Sequence, residues 1–221
     1  MTQHEQPYPY AREGLTSDTS GFAIGAFCAS AFFALCLITT AVAGVPLAQD
    51  LENGGSWGDM SWQVLVYGAS AVLALPAMLM AWVFTCVWLV KARAGVADQR
   101  RATAWVWLGW FVPIANFFVP FQVTRDLVKG SARRDRYARE QGEGDDNALL
   151  GWWWVSWLAM LLLDRAHTRL IDGVGTPTGT TAGTVQVVAI LLVLTTGLGL
   201  VLWGLIIRQV VDSQNQVDLP R

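Results

Sequence analysis

The sequence predicts an all-α polytopic membrane protein, with four transmembrane helices plus a Pro-broken re-entrant or interfacial hairpin. Three observations lead there. Of the 221 residues, 53% are hydrophobic and only 14% are charged, against roughly 25% charged in soluble domains, and the mean hydropathy is +0.39. The apolar residues gather into long runs, several of them close to the roughly 20 residues needed to cross a bilayer. One of these runs, Trp105–Asp126 (WVWLGWFVPIANFFVPFQVTRD), is broken by Pro113 and Pro120, with Asn116 between them.

The N-terminal segment 1–21 is polar, holds Pro7 and Pro9, and reads as a disordered cytoplasmic tail. The run after it is too long for the apolar core of a signal peptide. It is therefore expected to be a retained span, 22–47, without a single charge. Gly21 and Gly25 form a GxxxG spacing there, which lets helices approach closely in lipid. A short acidic loop, 48–61, follows, with Gly54 and Gly55 as turn residues. The second span, 62–90, would measure roughly 43 Å as a helix, longer than a hydrocarbon core of about 30 Å. It must tilt or kink, and Pro76 offers a site for that.

After the broken run comes a charged segment, 127–147, basic first and then acidic. The third full span is short, 148–165, and ends on Asp164 and Arg165, which must snorkel. Residues 170–184 read as a Gly/Thr-rich turn, 185–207 as the last span, and 212–221 as a second cytoplasmic tail. One transmembrane domain, 22–211, holds all of this.

The distribution of Lys and Arg decides the threading. If Trp105–Asp126 crossed the membrane, Lys91, Arg93, Arg100 and Arg101 would lie opposite Arg125, Lys129, Arg133, Arg134, Arg136 and Arg139. If it returns to the side it left, thirteen of the fifteen basic residues are cytoplasmic, and only Arg165 and Arg169 lie outside with the acidic loop. The second threading is the expected one: a multi-pass protein of the cell membrane with both termini cytoplasmic. Pro113 removes a backbone donor and biases Val112 toward extended backbone. Asn116 can satisfy groups that the break frees. Broken backbone at membrane depth needs cover from protein or water, so the hairpin should pack against the other helices.

The residues GWFVPIANFFVPFQVTRDL, the later LLGWWWVSW and the RQ closing the last span together resemble domain-of-unknown-function family 4328, membrane proteins found mainly in actinobacteria. The resemblance covers roughly Trp62–Gln209. It rests on Gly109, Trp110, Pro113, Asn116, Pro120, Asp126, Trp152 and Trp153. It implies the membrane topology and no activity.

The candidate structural or functional residues are Trp110, Pro113, Asn116, Pro120, Arg125, Asp126, Trp152, Trp153, Arg208 and Gln209. A polar Asn at membrane depth is costly, and such residues are often functional; the plainer role is to cap the hairpin turn. Arg125 and Asp126 read first as a snorkelled surface pair worth little; in the alternative Asp126 meets Arg208 and pins the hairpin to the last helix. Trp105, Trp107, Trp110, Trp152, Trp153, Trp154 and Trp157 are expected to form an interfacial aromatic belt, since neighbouring helical residues point about 100° apart and cannot share one pocket. Trp62, Trp82 and Trp88 suit the same role. Ser156, Thr195 and Thr196 should bond back to their own helices.

Cys28, Cys36 and Cys86 are expected to pack as small hydrophobes. No Cys/His set has metal-ligand spacing, and no catalytic motif appears, so neither metal, cofactor nor enzymatic activity is expected. The near-neutral net charge of −2 gives no footprint for nucleic acid. The expected partners are the lipid bilayer and another membrane protein or a second copy of the chain. The function expected first is a non-enzymatic scaffold or accessory subunit acting through helix packing. The alternative is a small transporter or channel component with 105–126 lining a pathway.

Overall fold

Apolar runs of this length must satisfy their backbone internally, and the helix does so. The computed structural model describes residues 16–58, 61–94, 102–110, 112–132, 145–176 and 179–215. Within them the chain is all-helical. Four long helices, α1 (Thr16–Glu52), α2 (Trp62–Arg93), α6 (Asp145–Gly173) and α7 (Ala182–Asn215), flank three short ones, α3 (Ala104–Leu108), α4 (Pro113–Asn116) and α5 (Val119–Ala132). Three of the long helices, α1, α2 and α7, are long and apolar enough to cross a membrane. They mark a multi-pass membrane protein. Most of the two tails, along with Arg100, Arg101 and Arg133 to Arg139, lies outside the described residues.

The helices outrun their apolar runs. The segment expected as the acidic loop begins inside α1, 170–173 belong to α6, and α5 carries the chain on to Ala132. In each case polar residues continue a helix whose hydrogen-bond ladder is already running, and extension needs no new nucleus.

α1 is central: it packs along α2 on one side and α7 on the other, and α7 packs along α6. The side-to-side order is therefore α2, α1, α7, α6. Small residues permit the close contacts. A side chain at Gly25 would meet the Phe84 ring at 2.8 Å, one at Gly204 would meet Phe27 at 2.9 Å, and one at Gly44 would meet Ile171 at 2.6 Å and His167 at 2.7 Å. Of the GxxxG pair only Gly25 makes such a contact; Gly21 faces open space. Polar contacts add register: the hydroxyls of Thr40 and Ser70 lie 2.9 Å apart across the α1–α2 seam.

The two ends of the bundle differ. At one end Leu47, Leu51, Ile171, Val174 and Val185 close a small core. There the Ala182 N–H donates to the Glu52 carboxylate at 3.1 Å, so an acid from α1 caps the start of α7. At the other end a larger core joins Ala26 of α1, Leu89 of α2, Val106 of α3, Leu127 of α5, Leu150 of α6 and Ile206 of α7. The C-terminal end of α2 and the N-terminal end of α6 thus lie together, with the three short helices between them.

Cys36 and Cys86 are buried, as expected of small hydrophobes, and Cys28 is exposed. Gly44→Val should drive α1 and α6 apart against Ile171 and the buried His167 ring. Overpacking of this kind costs about 1–3 kcal/mol. Unfolding followed by circular dichroism in detergent should show that loss, while Gly21→Val should leave stability unchanged; equal behaviour of the two variants would contradict this packing.

Candidate functional site

Trp105–Asp126 folds back on itself as α3, α4 and α5, and its two prolines start helices as much as they break them. Pro113 is the first residue of α4, and Val112 before it is extended, at φ −77° and ψ 115°, as a residue before proline prefers. Pro120 is the second residue of α5, where no backbone donor is required. The arms touch at Gly109, where a side chain would meet Val119 at 2.5 Å. The Asn116 N–H donates to Val112 O at 2.8 Å and Phe118 N–H to Ala115 O at 3.0 Å. The Phe117 carbonyl, at the joint between α4 and α5, accepts from the Trp154 indole N–H at 3.2 Å. A helix 37 residues further along thus covers the break. α5 then runs amphipathically, with Val119, Val123, Leu127 and Val128 buried and Arg125 exposed.

The cover is one-sided. Val106 and Val119 pack inward, whereas Ile114, Phe117 and Phe118 are exposed. The expectation that the whole segment packs against other helices holds for one face alone, because apolar side chains can face lipid at no cost once the backbone is satisfied.

On the inner face the segment closes one end of a cavity of about 320 Å³, at the small end of the ligand-site range. α1 and α7 form its floor. α2 and α6 form its sides, and these two helices share no extended packing with each other among the described residues. One stripe of α6 runs its length: Trp153, Ser156, Trp157, Met160, Leu161 and Arg165, the spacing of one helical face. Trp110 and Asn116 come from the broken segment, Trp82 and Thr85 from α2, and Thr196 and Trp203 from α7.

The tryptophans divide between outward and inward positions. Trp152 (64% exposed), Trp62 and Trp105 face outward, but Trp88, Trp153, Trp154 and Trp203 are buried. Trp153 stacks on Trp203 at 5.1 Å, and Trp110 meets Trp157 edge-on at 5.9 Å. Trp82 meets Trp107 and Trp88 meets Trp203 in the same edge-on way. Consecutive tryptophans do diverge, as expected: Trp152 points out, Trp153 into the cavity wall, and Trp154 to the Phe117 carbonyl. The spacing that matters is Trp153 to Trp157, one turn apart.

Four cavity-lining residues carry a buried polar atom without a hydrogen-bond partner among the described residues: Asn116 Oδ1, Trp157 Nε1, Thr196 Oγ1 and Trp203 Nε1. Ser156 and Thr195 do bond back to Trp152 O at 2.8 Å and Leu191 O at 2.7 Å; Thr196 does not. An unpaired buried polar atom costs about 1–3 kcal/mol; Gln63, Trp88, Ser131 and His167, away from the cavity, carry one as well.

The chain belongs to the DUF4328 family. The family model, described as a domain of unknown function, matches residues 56–210, which include α2 through most of α7 and the entire cavity wall except α1. No curated protein and no solved structure matches the chain.

The remaining candidates fall outside the cavity. Arg208 is exposed and pairs with Asp212 at 3.5 Å, one turn along its own helix. It does not meet Asp126, whose electrostatic partner is the buried Arg93 at the end of α2. Gln209 is half-buried on α7, Arg125 is exposed, and Pro120 is buried with its carbonyl accepting from Thr124 Oγ1 at 2.9 Å. Trp203, Thr196 and Trp82 were not among the expected site residues. Thr196 and Trp203 come in with α7, which packs along α6, and Trp82 with α2, which is held by α1 and α3.

Trp154→Phe removes the donor to Phe117 and keeps the ring. Its unfolding free energy in detergent should fall by about 1–3 kcal/mol, and Trp152→Phe should leave it unchanged. A silent Trp154→Phe would contradict the covering role assigned to this indole.

Proposed function

We propose that this chain is a non-enzymatic protein of the cell membrane, in an actinobacterial setting, that binds a small amphipathic molecule between α2 and α6. The observation that carries this reading is the cavity itself: an intramembrane space with apolar walls and a few buried polar groups, the usual make-up of a ligand site. It favours the alternative expected from the sequence, a transporter or channel component with 105–126 at its pathway, over a scaffold acting through packing alone. The broken segment contributes Trp110 and Asn116 to the wall, as discontinuous helices do in transporters.

In this reading α6 is a fourth span and Trp105–Asp126 a re-entrant hairpin at the cytoplasmic end. Support comes from the shared core that holds the end of α2, the start of α6, α3 and α5 together. Lys91, Arg93, Arg125, Lys129 and Arg208 lie on elements at that end, while Asp50, Glu52, Asp164 and Asp172 lie toward the other. Both termini are then cytoplasmic, in keeping with the positive-inside rule.

Two measurements test this. A cysteine placed at Ala104 or at Arg125, both exposed, in a chain whose own cysteines are serine, should react with a membrane-impermeant thiol reagent from the cytoplasmic side; reaction from opposite sides would overturn the threading. A long-chain alcohol bearing a photoreactive diazirine should label Met78, Met160 or Leu161, and Gly199→Leu, which fills the cavity, should cut that labelling at least about tenfold, the equivalent of about 1.4 kcal/mol. Labelling confined to outward positions such as Ile24 and Leu194, and indifferent to Gly199→Leu, would contradict the binding site.

A further inference from the structure

The broken segment has an outer face as well as an inner one, and that face changes character along its length. At its crest Ile114 (77% exposed), Phe117 and Phe118 point outward. The chain then enters α5 in register, since the Gln122 N–H already donates to Phe118 O at 3.0 Å. At 3.6 residues per turn, Phe118, Gln122, Arg125 and Lys129 fall on one stripe of that helix, opposite the buried Val119, Val123 and Leu127. The stripe thus passes from aromatic carbon to cationic nitrogen over three turns, roughly 16 Å.

The charge on this stripe has one sign. Asp126 points about 100° away from Arg125, and the charge it acts on is Arg93, at the end of α2. Arg208, at the same end of the bundle, pairs with Asp212, and Lys91 lies over the Phe22 ring at 4.2 Å. Neither Arg125 nor Lys129 has an ion-pair partner among the described residues. Like charges one helical turn apart repel, and an anion held between them removes that repulsion.

Two cations beside an apolar crest fit a molecule with a chain as well as a negative head, and the bilayer is made of such molecules. A Phe118 ring just inside the hydrocarbon edge puts Arg125, roughly 10 Å further along the helix, in the head-group layer, which is about 5–8 Å deep. A zwitterionic head group brings a cation of its own, and the stripe offers no acid to receive it. An anionic head group brings none.

We propose that the outer face of the broken segment binds an anionic phospholipid of the leaflet it enters, with an acyl chain on Ile114, Phe117 and Phe118 and the phosphate on Arg125 and Lys129. This surface is separate from the cavity, and the proposal rests on the broken segment lying in the bilayer.

The test uses the full chain in nanodiscs of phosphatidylcholine containing a trace of one photoreactive lipid with a diazirine in its acyl chain. Phosphatidylglycerol of this kind should label Ile114, Phe117 or Phe118 at least about fivefold more than the matching phosphatidylcholine, the scale of one cation at an anionic surface. The two lipids should label Leu75 and Leu194, exposed on α2 and α7, equally. Raising the salt concentration should shrink the preference at the crest. Arg125→Gln combined with Lys129→Gln should abolish it, whereas Arg208→Gln should leave it intact. The comparison of lipids on the unaltered chain stands without any variant. Equal labelling of the crest by the two lipids, or a preference that survives the double variant, would overturn the anionic site. Labelling of Leu75 and Leu194 with none at the crest from either lipid would overturn the placement of the segment in the bilayer as well.

Discussion

One hydrogen bond, from the Trp154 indole to the Phe117 carbonyl, covers the break on which the chain turns between α2 and α6. A chain in lipid cannot leave backbone groups unpaired, yet the segment between α2 and α6 is interrupted at Pro113 and Pro120. The prolines are placed where a missing N–H does least harm, at the first and second positions of short helices. The carbonyl at the joint still needs a donor, and α6 supplies it. The same contact ties the broken segment to α6, while Val106 and the Trp107–Trp82 pair tie it to α2. The segment thus bridges two helices that do not otherwise pack on one another, and the space left beneath the bridge is the cavity.

Tryptophan is suited to this work. Its indole fills a large volume, stacks in several geometries, and carries one donor. Trp154 spends that donor on the backbone. Trp157 and Trp203, which line the cavity, have theirs buried and without a partner among the described residues.

Much of this was legible in the sequence. The uncharged runs gave α1, α2 and α7, and the Pro-x-x-Asn-x-x-x-Pro pattern located the break and picked out Asn116, which does face the cavity. Charge placement anticipated that α2 ends where α6 begins. What stayed hidden depends on tertiary packing. The tryptophans read as a belt because a run of three has no single face; the burial of Trp88, Trp153, Trp154 and Trp203 follows from how α7 lies along α6 and how the broken segment closes that end of the bundle, which no local spacing records. Asp126 could have met any of several basic residues at its end of the bundle; Arg93 lies in its field, and Arg208 pairs with Asp212 instead. Thr196 and Trp203 lack any motif and join the site only through the depth at which α7 sits.

We propose that the bridge from α2 to α6 keeps a ligand-sized space inside the membrane. Native mass spectrometry of the chain released directly from cell membranes tests it most directly. A single lipophile, other than a bilayer phospholipid, should stay bound to the unaltered protein after bulk lipid has been stripped by collisional activation. A bare chain, or one carrying ordinary phospholipids in the proportions of the surrounding bilayer, would contradict the account.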